Sequence, residues 1–357
     1  MDERGAMERA LELARRGWGR VHPNPMVGAV VLQGERVVGE GWHAEFGERH
    51  AEPAALEAAA DAVRGATLVV TLEPCNHQGR QPPCTDAIIS AGVRRVVAAI
   101  HDPNPVAAGG IVRLRAAGVD VSTGLLETEA ARLNAAFLHA ASGAQRPWIA
   151  VKLATSVDGA IADGSGASRW VSGAEARAWA HWLRAGFDAI AVGSTTALRD
   201  DPSLTVRGPL APRIAPRRVV FDRKLRLPLD CALVESAQQV PVIVVAAPEQ
   251  EGTSKAAELT AAGASVVYAG STAEGLKELH SLGLRSLLVE GGAGLATSLA
   301  TDDLVDRYYW IQSPLFLGAD ALAAWSLPAV SLQASPRWHV VQRAPLGQDT
   351  LLVLDRT

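Results

Sequence analysis

The sequence predicts an α/β protein built from two domains. The chain has 357 residues, which is more than a single hydrophobic core usually serves. Short apolar runs rich in β-branched residues alternate with helical segments along the whole chain. Small and polar residues interrupt this pattern at 142–147. We therefore predict a boundary between a first domain at 1–145 and a second domain at 146–357.

The first domain begins with apolar residues at helical spacing (Met7, Leu11 and Ala14) and Gly17 as a stop signal. The predicted elements are, in order, a helix at 2–17, strands at 28–32 and 37–42, a helix at 50–62, a strand at 66–72, a helix at 85–91, a strand at 94–100, a helix at 111–117, a strand at 119–122 and a helix at 127–141. This alternation indicates a sheet covered by helices.

The second domain repeats the alternation. The predicted elements are a strand at 148–153, a helix at 174–185, a strand at 189–193 followed by a hydroxyl-rich loop, a proline-rich loop at 208–217, strands at 218–222 and 241–246, a helix at 253–262, a strand at 264–268, a helix at 273–282, a strand at 286–290, a helix ending at 299, and closing strands near 308–311 and 351–354.

A glycine-rich turn at 291–295 separates the strand at 286–290 from the following helix. In this context backbone N–H groups can bind a phosphate. The alternative is that the glycines only permit tight packing. The spacing is not G-x-G-x-x-G, so the turn is not a Rossmann fingerprint.

One histidine and two cysteines in the first domain have the character of zinc ligands. His50, Cys75 and Cys84 are of the ligand types that zinc takes, and three protein ligands leave a fourth position open for water. Bound zinc lowers the pKa of that water towards ~7. Glu52 follows His50 by two residues, and a His-x-Glu element ahead of Pro-Cys is the arrangement of zinc deaminases, in which the glutamate transfers protons.

A structural zinc site is the alternative interpretation. Structural sites usually have four protein ligands, and His77 lies between the two cysteines as a candidate fourth. The gap from Cys75 to Cys84 is also wider than C-x-x-C. Spacing alone leaves both interpretations open.

Other polar residues are ambiguous by themselves. Asn24 lies between two prolines, where its amide could contact a base edge or simply form a turn. His43 ends a predicted strand and could contact substrate or be structural. Arg184 and Arg207 could each bind phosphate, because guanidinium matches phosphate oxygens, or each could be an ordinary surface or helix-end arginine.

The composition narrows the class of protein. The net charge is −4 and the pI about 6.2, which argues against a broad nucleic-acid-binding face. Three cysteines do not make a disulfide scaffold and suggest a reducing compartment. The N-terminus has no apolar signal region, and no run of ~18 apolar residues suggests a membrane span. We expect a cytoplasmic protein without nucleic-acid or membrane partners.

The motifs of the first half resemble the deaminase half of the bacterial RibD family, the bifunctional pyrimidine deaminases and reductases of riboflavin biosynthesis. The matching stretches are His22–Pro25, His50–Glu52, Pro74–Cys84 and Asp102–Pro105. The resemblance implies a cytidine-deaminase-like three-layer fold, zinc on His50, Cys75 and Cys84, and Glu52 as the proton-transferring residue. It also implies Asn24, His43 and His77 near the base, with Arg80 and Asn104 near the substrate phosphate.

One departure falls inside the zinc loop. Family members usually read Cys-Ser-His-His-Gly, whereas this chain has Asn76 and Gln78 at the second and fourth of these positions.

The second half resembles the reductase domain of the same family, which implies a dihydrofolate-reductase-like fold and NADPH as cofactor. The implied cofactor contacts are Ala154, Trp170, Thr196, Asp200, Gly292, Ala293, Gly294, Leu295, Ala296, Thr297 and Ser298; the implied substrate contacts are Ser168, Arg184, Leu204, Arg207 and Glu290. No arginine is identified for the cofactor's 2′-phosphate, so the choice of NADPH over NADH rests on the resemblance.

We therefore expect zinc-dependent deamination of a pyrimidine ribosyl phosphate, followed by NADPH-dependent reduction of its ribose. Two further hypotheses are a deaminase of nucleic-acid bases with an accessory domain, and an interaction module with structural zinc. The oligomeric state, including a homo-oligomer, is open at this point.

Overall fold

The protein is described by a computed structural model that covers residues 1–356. It divides into two compact units. Unit 1 comprises Met1–Ala144 together with Pro212–Ile214, and unit 2 comprises Gln145–Ala211 and the chain from Ala215 onward. Each has its own sheet and apolar core, and the predicted α/β class is confirmed. No helix within the described residues has the length and apolar character needed to cross a membrane.

Unit 1 contains five strands and six α-helices among the described residues. They are α1 (Glu3–Ala14), β1 (Gly28–Gln33), β2 (Arg36–Trp42), α2 (Ala51–Ala59), β3 (Thr67–Val70), α3 (Cys84–Ala91), β4 (Arg95–Ala98), α4 (Gly110–Ala116), β5 (Asp120–Thr123), α5 (Glu127–Leu133) and α6 (Ala135–Ala141). The strand order is β2-β1-β3-β4-β5. β1 is antiparallel to both neighbours, whereas β3, β4 and β5 are parallel.

Close packing of α2 on β2 depends on glycine. A Cβ placed on Gly41 would lie 2.4 Å from the carbonyl oxygen of Ala51 and from the amide of Ala55, so no larger residue fits there without moving the helix. The first residues of α2 are thereby held against the sheet. This matters for function because α2 carries Glu52 and begins immediately after His50.

The predicted single helix at 127–141 is two helices. α5 ends at Leu133 and α6 starts at Ala135, with Asn134 between them outside the helical region (φ −107°, ψ 24°). The Asn134 side chain is 3% exposed and forms two hydrogen bonds to the backbone of Met26. This long-range contact, which no local pattern reveals, accompanies the break.

Unit 2 contains β6 (Trp148–Thr155), β7 (Ala160–Ala162), α7 (Ala174–Arg184), β8 (Ala189–Gly193), α8 (Ser194–Asp200), β9 (Arg217–Phe221), α9 (Ala232–Glu235), β10 (Val242–Ala246), α10 (Ser254–Ala261), β11 (Ser265–Tyr268), α11 (Thr272–Ser281), β12 (Ser286–Glu290), α12 (Ala293–Thr301), β13 (Arg307–Gln312), β14 (Leu322–Ala323), β15 (Trp338–Leu346) and β16 (Asp349–Arg356).

Nine of these strands form one sheet in the order β11-β10-β9-β8-β12-β6-β13-β16-β15. The strands from β11 to β13 are parallel, and β16 is antiparallel to both of its neighbours. The carboxyl ends of β8, β9, β10 and β12 therefore meet along one edge, which is where ligands bind in open α/β sheets. β7 and β14 pair separately.

Several elements of unit 2 differ from the prediction. The expected hydroxyl-rich loop after β8 is the start of α8; serine and threonine favour turns and caps, so they obscure a helix start. β7, β14, β15 and the short α9 are not predicted at all. β15 lies at the sheet edge with residues of both faces exposed, so it lacks the apolar alternation that identifies a half-buried strand.

Candidate functional site

The three candidate metal ligands converge in unit 1 from separate elements. His50 precedes α2, Cys75 lies in the loop after β3, and Cys84 is the first residue of α3. His50 Nδ1 lies 3.2 Å from Cys84 Sγ and 3.5 Å from Cys75 Sγ. The cysteines are buried and are not in disulfides. Among the described residues, these three form the group of side chains that could hold a metal ion, and we call it the metal-binding cluster.

The donor set fits zinc. Zinc–sulfur bonds of about 2.3 Å and zinc–nitrogen bonds of about 2.0 Å at tetrahedral angles separate the nitrogen and sulfur atoms by about 3.5 Å. The two observed nitrogen–sulfur distances are 3.2 and 3.5 Å. The backbone N–H of Cys84 also donates to Cys75 Sγ at 3.4 Å, an outer contact that orients a ligand sulfur. The pKa of Cys75 is lowered, chiefly through its hydrogen bond with Cys84 and also through that with His50.

His77 does not complete a four-ligand site. It lies outside the metal-binding cluster of the described residues, and its Nδ1 is buried without a hydrogen-bond partner among them. Its side chain instead lines a cavity beside the cluster. The cluster therefore offers three protein ligands, which would leave one position of a tetrahedral metal ion open, and this favours a catalytic over a structural site.

Glu52 lies beside the cluster in the first turn of α2. Its side chain is only 3% exposed and lines the same cavity as His50 and Cys75. Burial, assisted by the nearby Cys75 sulfur, raises the pKa of Glu52 to about 7. A carboxyl group with a pKa near neutrality is suited to both accepting and donating a proton.

A cavity of about 250 Å³ adjoins the cluster. Every residue predicted for the first-domain substrate lines it, and these residues are Asn24, His43, His77, Arg80 and Asn104. His43 Nδ1 lies 3.0 Å from the carbonyl oxygen of Arg49, to which it donates, so its Nε2 accepts from the Asn24 amide at 3.2 Å. Burial lowers the pKa of His43, which favours this neutral form.

Arg80 is exposed at the cavity and stacks over Phe46, with its guanidinium carbon 4.7 Å from the ring centroid. This cation–π contact holds the long side chain near the opening. Asn104 is held by its own loop, because its Oδ1 accepts from the amide of Val106 at 3.1 Å.

Glu73 is a functional-site residue without a role in the sequence prediction. It is 5% exposed, and its carboxylate accepts backbone N–H groups of Asp102, Gly109 and Ile111 at 3.0–3.3 Å. Glu73 thereby connects the segment after β3, which leads to Cys75, with the loop that contains Asn104. Its signal in the sequence was an acidic residue directly after a buried strand.

One of the two departures in the zinc loop has a structural explanation. Asn76 Oδ1 accepts from the Thr85 hydroxyl at 3.1 Å and from Arg113 Nη1 at 2.9 Å. Asn76, which follows Cys75, is thus bonded to Thr85, which follows Cys84. Gln78 is exposed, and nothing in the structure explains its identity.

Asn134 leads to a prediction for unit 1. Replacing it with alanine leaves the N–H and C=O of Met26 without the partners they have at 2.8 and 2.9 Å. Since each unsatisfied buried polar group costs about 1–3 kcal/mol, we expect Asn134→Ala to destabilise unit 1 by roughly 2–4 kcal/mol. Differential scanning calorimetry of the unit 1 transition measures this. The control is Gln78→Ala at an exposed position, which should leave the transition temperature unchanged. An unchanged transition for Asn134→Ala would contradict the prediction.

The predicted residues of unit 2 centre on a buried ion pair. Arg184 Nε and Nη2 donate to the two carboxylate oxygens of Glu290 at 2.5 and 3.0 Å, and Nη1 donates to the Thr205 carbonyl oxygen at 2.8 Å. The pairing of these two predicted substrate residues, one at the end of α7 and one at the end of β12, is not evident from the sequence. Leu204 and Arg207 flank Thr205 in the loop that the pair holds.

Charges around Glu290 set its ionisation. Burial alone would raise the pKa of Glu290, but Arg184, with Lys152 and His181, lowers it to about 2. Lys152 lies opposite Glu290 on β6, and burial lowers its pKa. Glu290 is therefore a carboxylate at neutral pH.

The glycine turn after β12 forms a narrow cradle. Gly291 and Gly292 have φ angles of 67° and 73°, a region that favours glycine. A Cβ on Gly292 would lie 2.5 Å from the Thr196 hydroxyl, so Thr196 is packed against this turn. α12 begins directly after the turn, and free backbone N–H groups at a helix start can bind a phosphate. The cradle could therefore hold a phosphate of the implied dinucleotide cofactor.

The other members of the predicted 292–298 set lie on α12. Leu295 and Ala296 are buried. The Thr297 hydroxyl accepts from the amide of Ser326 at 3.1 Å, and the Ser298 hydroxyl lies 3.0 Å from that of Thr272. These four side chains therefore serve packing and local hydrogen bonds. Ala293 and Gly294 have a small side chain or none, so any contact they make with a cofactor would be through their backbone.

The remaining predicted residues lie in the surrounding segments. Arg169 Nη2 donates to the carbonyl oxygen of Asp200 at 2.7 Å, which brings the segment with Ser168 and Trp170 to the end of α8. Trp170 is 67% exposed, and the Arg177 guanidinium lies 4.4 Å from its ring. Arg207 is exposed and donates to Ser203 at 3.2 Å, whereas Ala154 lies on β6.

Comparisons with known proteins match both units. A family model described as the cytidine and deoxycytidylate deaminase zinc-binding region matches residues 1–100, and one described as the RibD C-terminal domain matches residues 147–352. Riboflavin biosynthesis protein RibD from Aquifex aeolicus is 39% identical over 357 residues, which cover 99% of this chain and 98% of the relative. The RibD protein from Escherichia coli is 39% identical over 369 residues, covering 99% of each.

Solved structures give the same result. Form 1 of RibD from Acinetobacter baumannii is 35% identical, covers 99% of both chains and superposes with a TM-score of 0.84. A Thermotoga maritima protein, described as a diaminohydroxyphosphoribosylaminopyrimidine deaminase and 5-amino-6-(5-phosphoribosylamino)uracil reductase, has the same identity, coverage and TM-score.

Proposed function

The chain belongs to the RibD family, and from this premise we propose that it deaminates 2,5-diamino-6-(5-phosphoribosylamino)pyrimidin-4(3H)-one and then reduces the ribose of the product to a ribityl chain. Zinc serves the deaminase domain and NADPH serves the reductase domain. We assign the deamination to residues 1–145 and the reduction to residues 146–357. The observation that carries the proposal is the open three-ligand cluster with Glu52 beside it.

In the first reaction water replaces the exocyclic amine of the pyrimidine, and ammonia leaves. Zinc held by His50, Cys75 and Cys84 would activate the water as a nucleophile near neutral pH. Glu52 takes one proton of the water and gives it to the ring nitrogen as the C–O bond forms. It then takes the second proton from the new hydroxyl and gives it to the amine, which leaves as ammonia. Its burial at the cavity wall keeps the proton from exchanging freely with solvent.

The rest of the cavity orients the substrate of the first reaction. Asn24 and the neutral His43 present polar atoms to the base, and His77 lines the same cavity. Arg80 and Asn104 face the phosphoribosyl part, and Phe46 holds the Arg80 guanidinium in place. Holding the reacting carbon beside the nucleophile is itself a large contribution to rate.

In the second reaction C1′ of the ribose gains a hydride, the bond from C1′ to the ring oxygen breaks, and that oxygen gains a proton from solvent. NADPH supplies the hydride when bound, and the chain's own residues position both partners. Thr196 and the Gly291–Gly292 turn form the cofactor cradle. Glu290 and Arg184 fix the 204–207 loop, from which Arg207 reaches the substrate phosphate.

One assay tests both reactions together. The protein is incubated with the diaminopyrimidinone ribosyl phosphate and NADPH, and ammonia and cofactor absorbance are followed in parallel. We expect one NADPH consumed for each ammonia released. Ammonia without NADPH oxidation would refute the reductase assignment, and no ammonia would refute the deaminase assignment. Transfer RNA and single-stranded DNA should release none, because a chain with a net charge of −4 is not expected to have the broad basic face that binds a polynucleotide.

Arg207 gives a prediction for the substrate phosphate. Its guanidinium is exposed and makes one hydrogen bond at 3.2 Å, to Ser203, so its loss should leave the fold intact. We expect Arg207→Ala to raise the reductase Michaelis constant for the deaminated phosphate substrate by roughly 10- to 100-fold, because a charge-assisted contact is lost. Steady-state kinetics measures this. An unchanged Michaelis constant would remove Arg207 from the substrate site.

We place both reactions in the cytoplasm. The three cysteines are free in the structure, and two of them are needed as thiolates for zinc, a state that a reducing compartment preserves.

A further inference from the structure

Three residues from the second half of the chain belong to unit 1. The segment Pro212–Ile214 lies within the predicted proline-rich loop at 208–217, yet it groups with Met1–Ala144 rather than with the residues on either side of it. The segment has one charged side chain, that of Arg213, and this side chain is half-buried. The reactions described above give Arg213 no role, so its place in unit 1 needs an explanation.

Arg213 is anchored to the loop that leads to Asn24. Its backbone N–H donates to the Gly19 carbonyl oxygen at 2.8 Å, and its Nη2 donates to the His22 carbonyl oxygen. Its Nε is buried without a hydrogen-bond partner among the described residues. The main chain and the guanidinium of Arg213 are therefore both fixed to one short loop.

The anchored guanidinium lies against the ring of Phe46. The guanidinium carbon of Arg213 is 4.5 Å from the ring centroid, and that of Arg80 is 4.7 Å from the same centroid. Among the described residues, Phe46 and Arg80 line the cavity beside the metal-binding cluster, whereas Arg213 does not. Arg213 can therefore act on the cavity through the phenylalanine ring rather than by touching a substrate.

The position of Arg80 depends on the backbone at Phe46. A Cβ on the next residue, Gly47, would lie 3.2 Å from Arg80 Nη1, so the arginine packs closely beside this backbone. Gln81 Nε2 also donates to the Gly47 carbonyl oxygen at 3.0 Å. Two cations against one ring repel each other, and an anion bound nearby would relieve that repulsion. The arrangement therefore suits an anionic group at the cavity opening.

We propose that Arg213 is a positioning residue of the deaminase site, which holds the Phe46 ring and through it the Arg80 guanidinium in place for the substrate phosphate. This inference rests on the proposed deaminase function. A free arginine side chain loses conformational entropy when it binds a ligand, and holding it in place beforehand lowers that cost. Loss of Arg213 therefore weakens binding of the phosphate and leaves the proton transfers of Glu52 unchanged.

The first test compares ammonia release by the full chain and its Arg213→Met variant. We expect the Michaelis constant for the diaminopyrimidinone ribosyl phosphate to rise roughly 3- to 30-fold, because a cation–π contact is lost, with kcat within about twofold. The dephosphorylated ribosyl counterpart, used as substrate or as competitive inhibitor, should bind within about twofold of its affinity for the unaltered protein. Metal analysis should find the same zinc content in both proteins. Arg213→Lys keeps the charge and should recover part of the loss.

The second test asks whether Arg213 acts through Arg80. In an Arg80→Met background, Arg213→Met should change the Michaelis constant by less than about twofold, because the residue it positions is already absent. Arg217→Met is the matched control: this arginine donates to the Leu282 carbonyl oxygen at 3.1 Å, and its loss should not alter deamination.

Three outcomes would overturn the proposal. They are equal weakening of the phosphorylated and dephosphorylated ligands by Arg213→Met, a full additional effect of Arg213→Met in the Arg80→Met background, and no change in the Michaelis constant. Failure of the unaltered protein to release ammonia would instead refute the deaminase function itself.

Discussion

Glu52→Gln is expected to slow ammonia release strongly while leaving zinc bound. The amide is nearly isosteric with the carboxyl group but cannot accept and return a proton. Since general acid–base catalysis contributes typically 10²–10⁴-fold, we expect the deamination rate to fall by roughly that factor. Metal analysis should still find one zinc per chain, because Glu52 is outside the His50, Cys75 and Cys84 cluster.

Glu57→Gln is the matched control for this experiment. Glu57 lies on the same helix, is exposed and pairs with Arg49, so its substitution should leave ammonia release unchanged. Reduction of the already deaminated substrate should be unaffected in both variants. If Glu52→Gln retained full deamination, Glu52 would not be the proton-transferring residue; if it lost zinc, the residue would be acting on the metal site.

Arg184→Met is expected to destabilise unit 2 strongly. Arg184 and Glu290 side chains are 16% and 10% exposed, and removal of one member of a buried pair leaves an uncompensated charge at a cost of about 3–5 kcal/mol. Replacing both members by apolar residues of similar volume is often nearly neutral. The double variant Arg184→Met, Glu290→Leu should therefore recover most of the lost stability.

The effect of Arg184→Met should depend on pH in a defined direction. The folded-state pKa of Glu290 is about 2, below its ordinary value of about 4.3. The pair therefore contributes stability above about pH 4.3 and loses it as the pH falls through about 2. Calorimetry of the unit 2 transition should show the largest loss near pH 7 and a smaller one near pH 3. A loss independent of pH would assign the effect to packing.

Much of the first site could be predicted because its residues lie in short motifs. His50 and Glu52 are two residues apart, and Cys75 and Cys84 bracket one loop, so their types and spacing indicate the chemistry directly. The cavity also contains each substrate residue predicted for this domain. Their roles in binding stay predictions until tested.

The long-range hydrogen bonds and ion pairs that support the two candidate sites could not be predicted from the sequence. Asn134 reaches Met26 across 108 residues, and Arg184 reaches Glu290 across 106. Neither residue has a local pattern that reveals its partner, because both pairings depend on how the sheet orders its strands. β15 was not predicted because it too lacks a local pattern: it is an exposed edge strand that is defined by its pairing with β16.

The two hydrogen bonds between the Asn134 side chain and the Met26 backbone limit how far the deaminase domain can be shortened. The proposed zinc ligands and Glu52 all lie before residue 100, so a fragment that ends there would contain every residue to which we assign the deamination chemistry. Such a fragment would lack the amide that holds Met26, two residues from Asn24. The loop with Asn24, which we propose contacts the base, would then be less restrained. We expect the shortened fragment to keep metal binding better than binding of the pyrimidine.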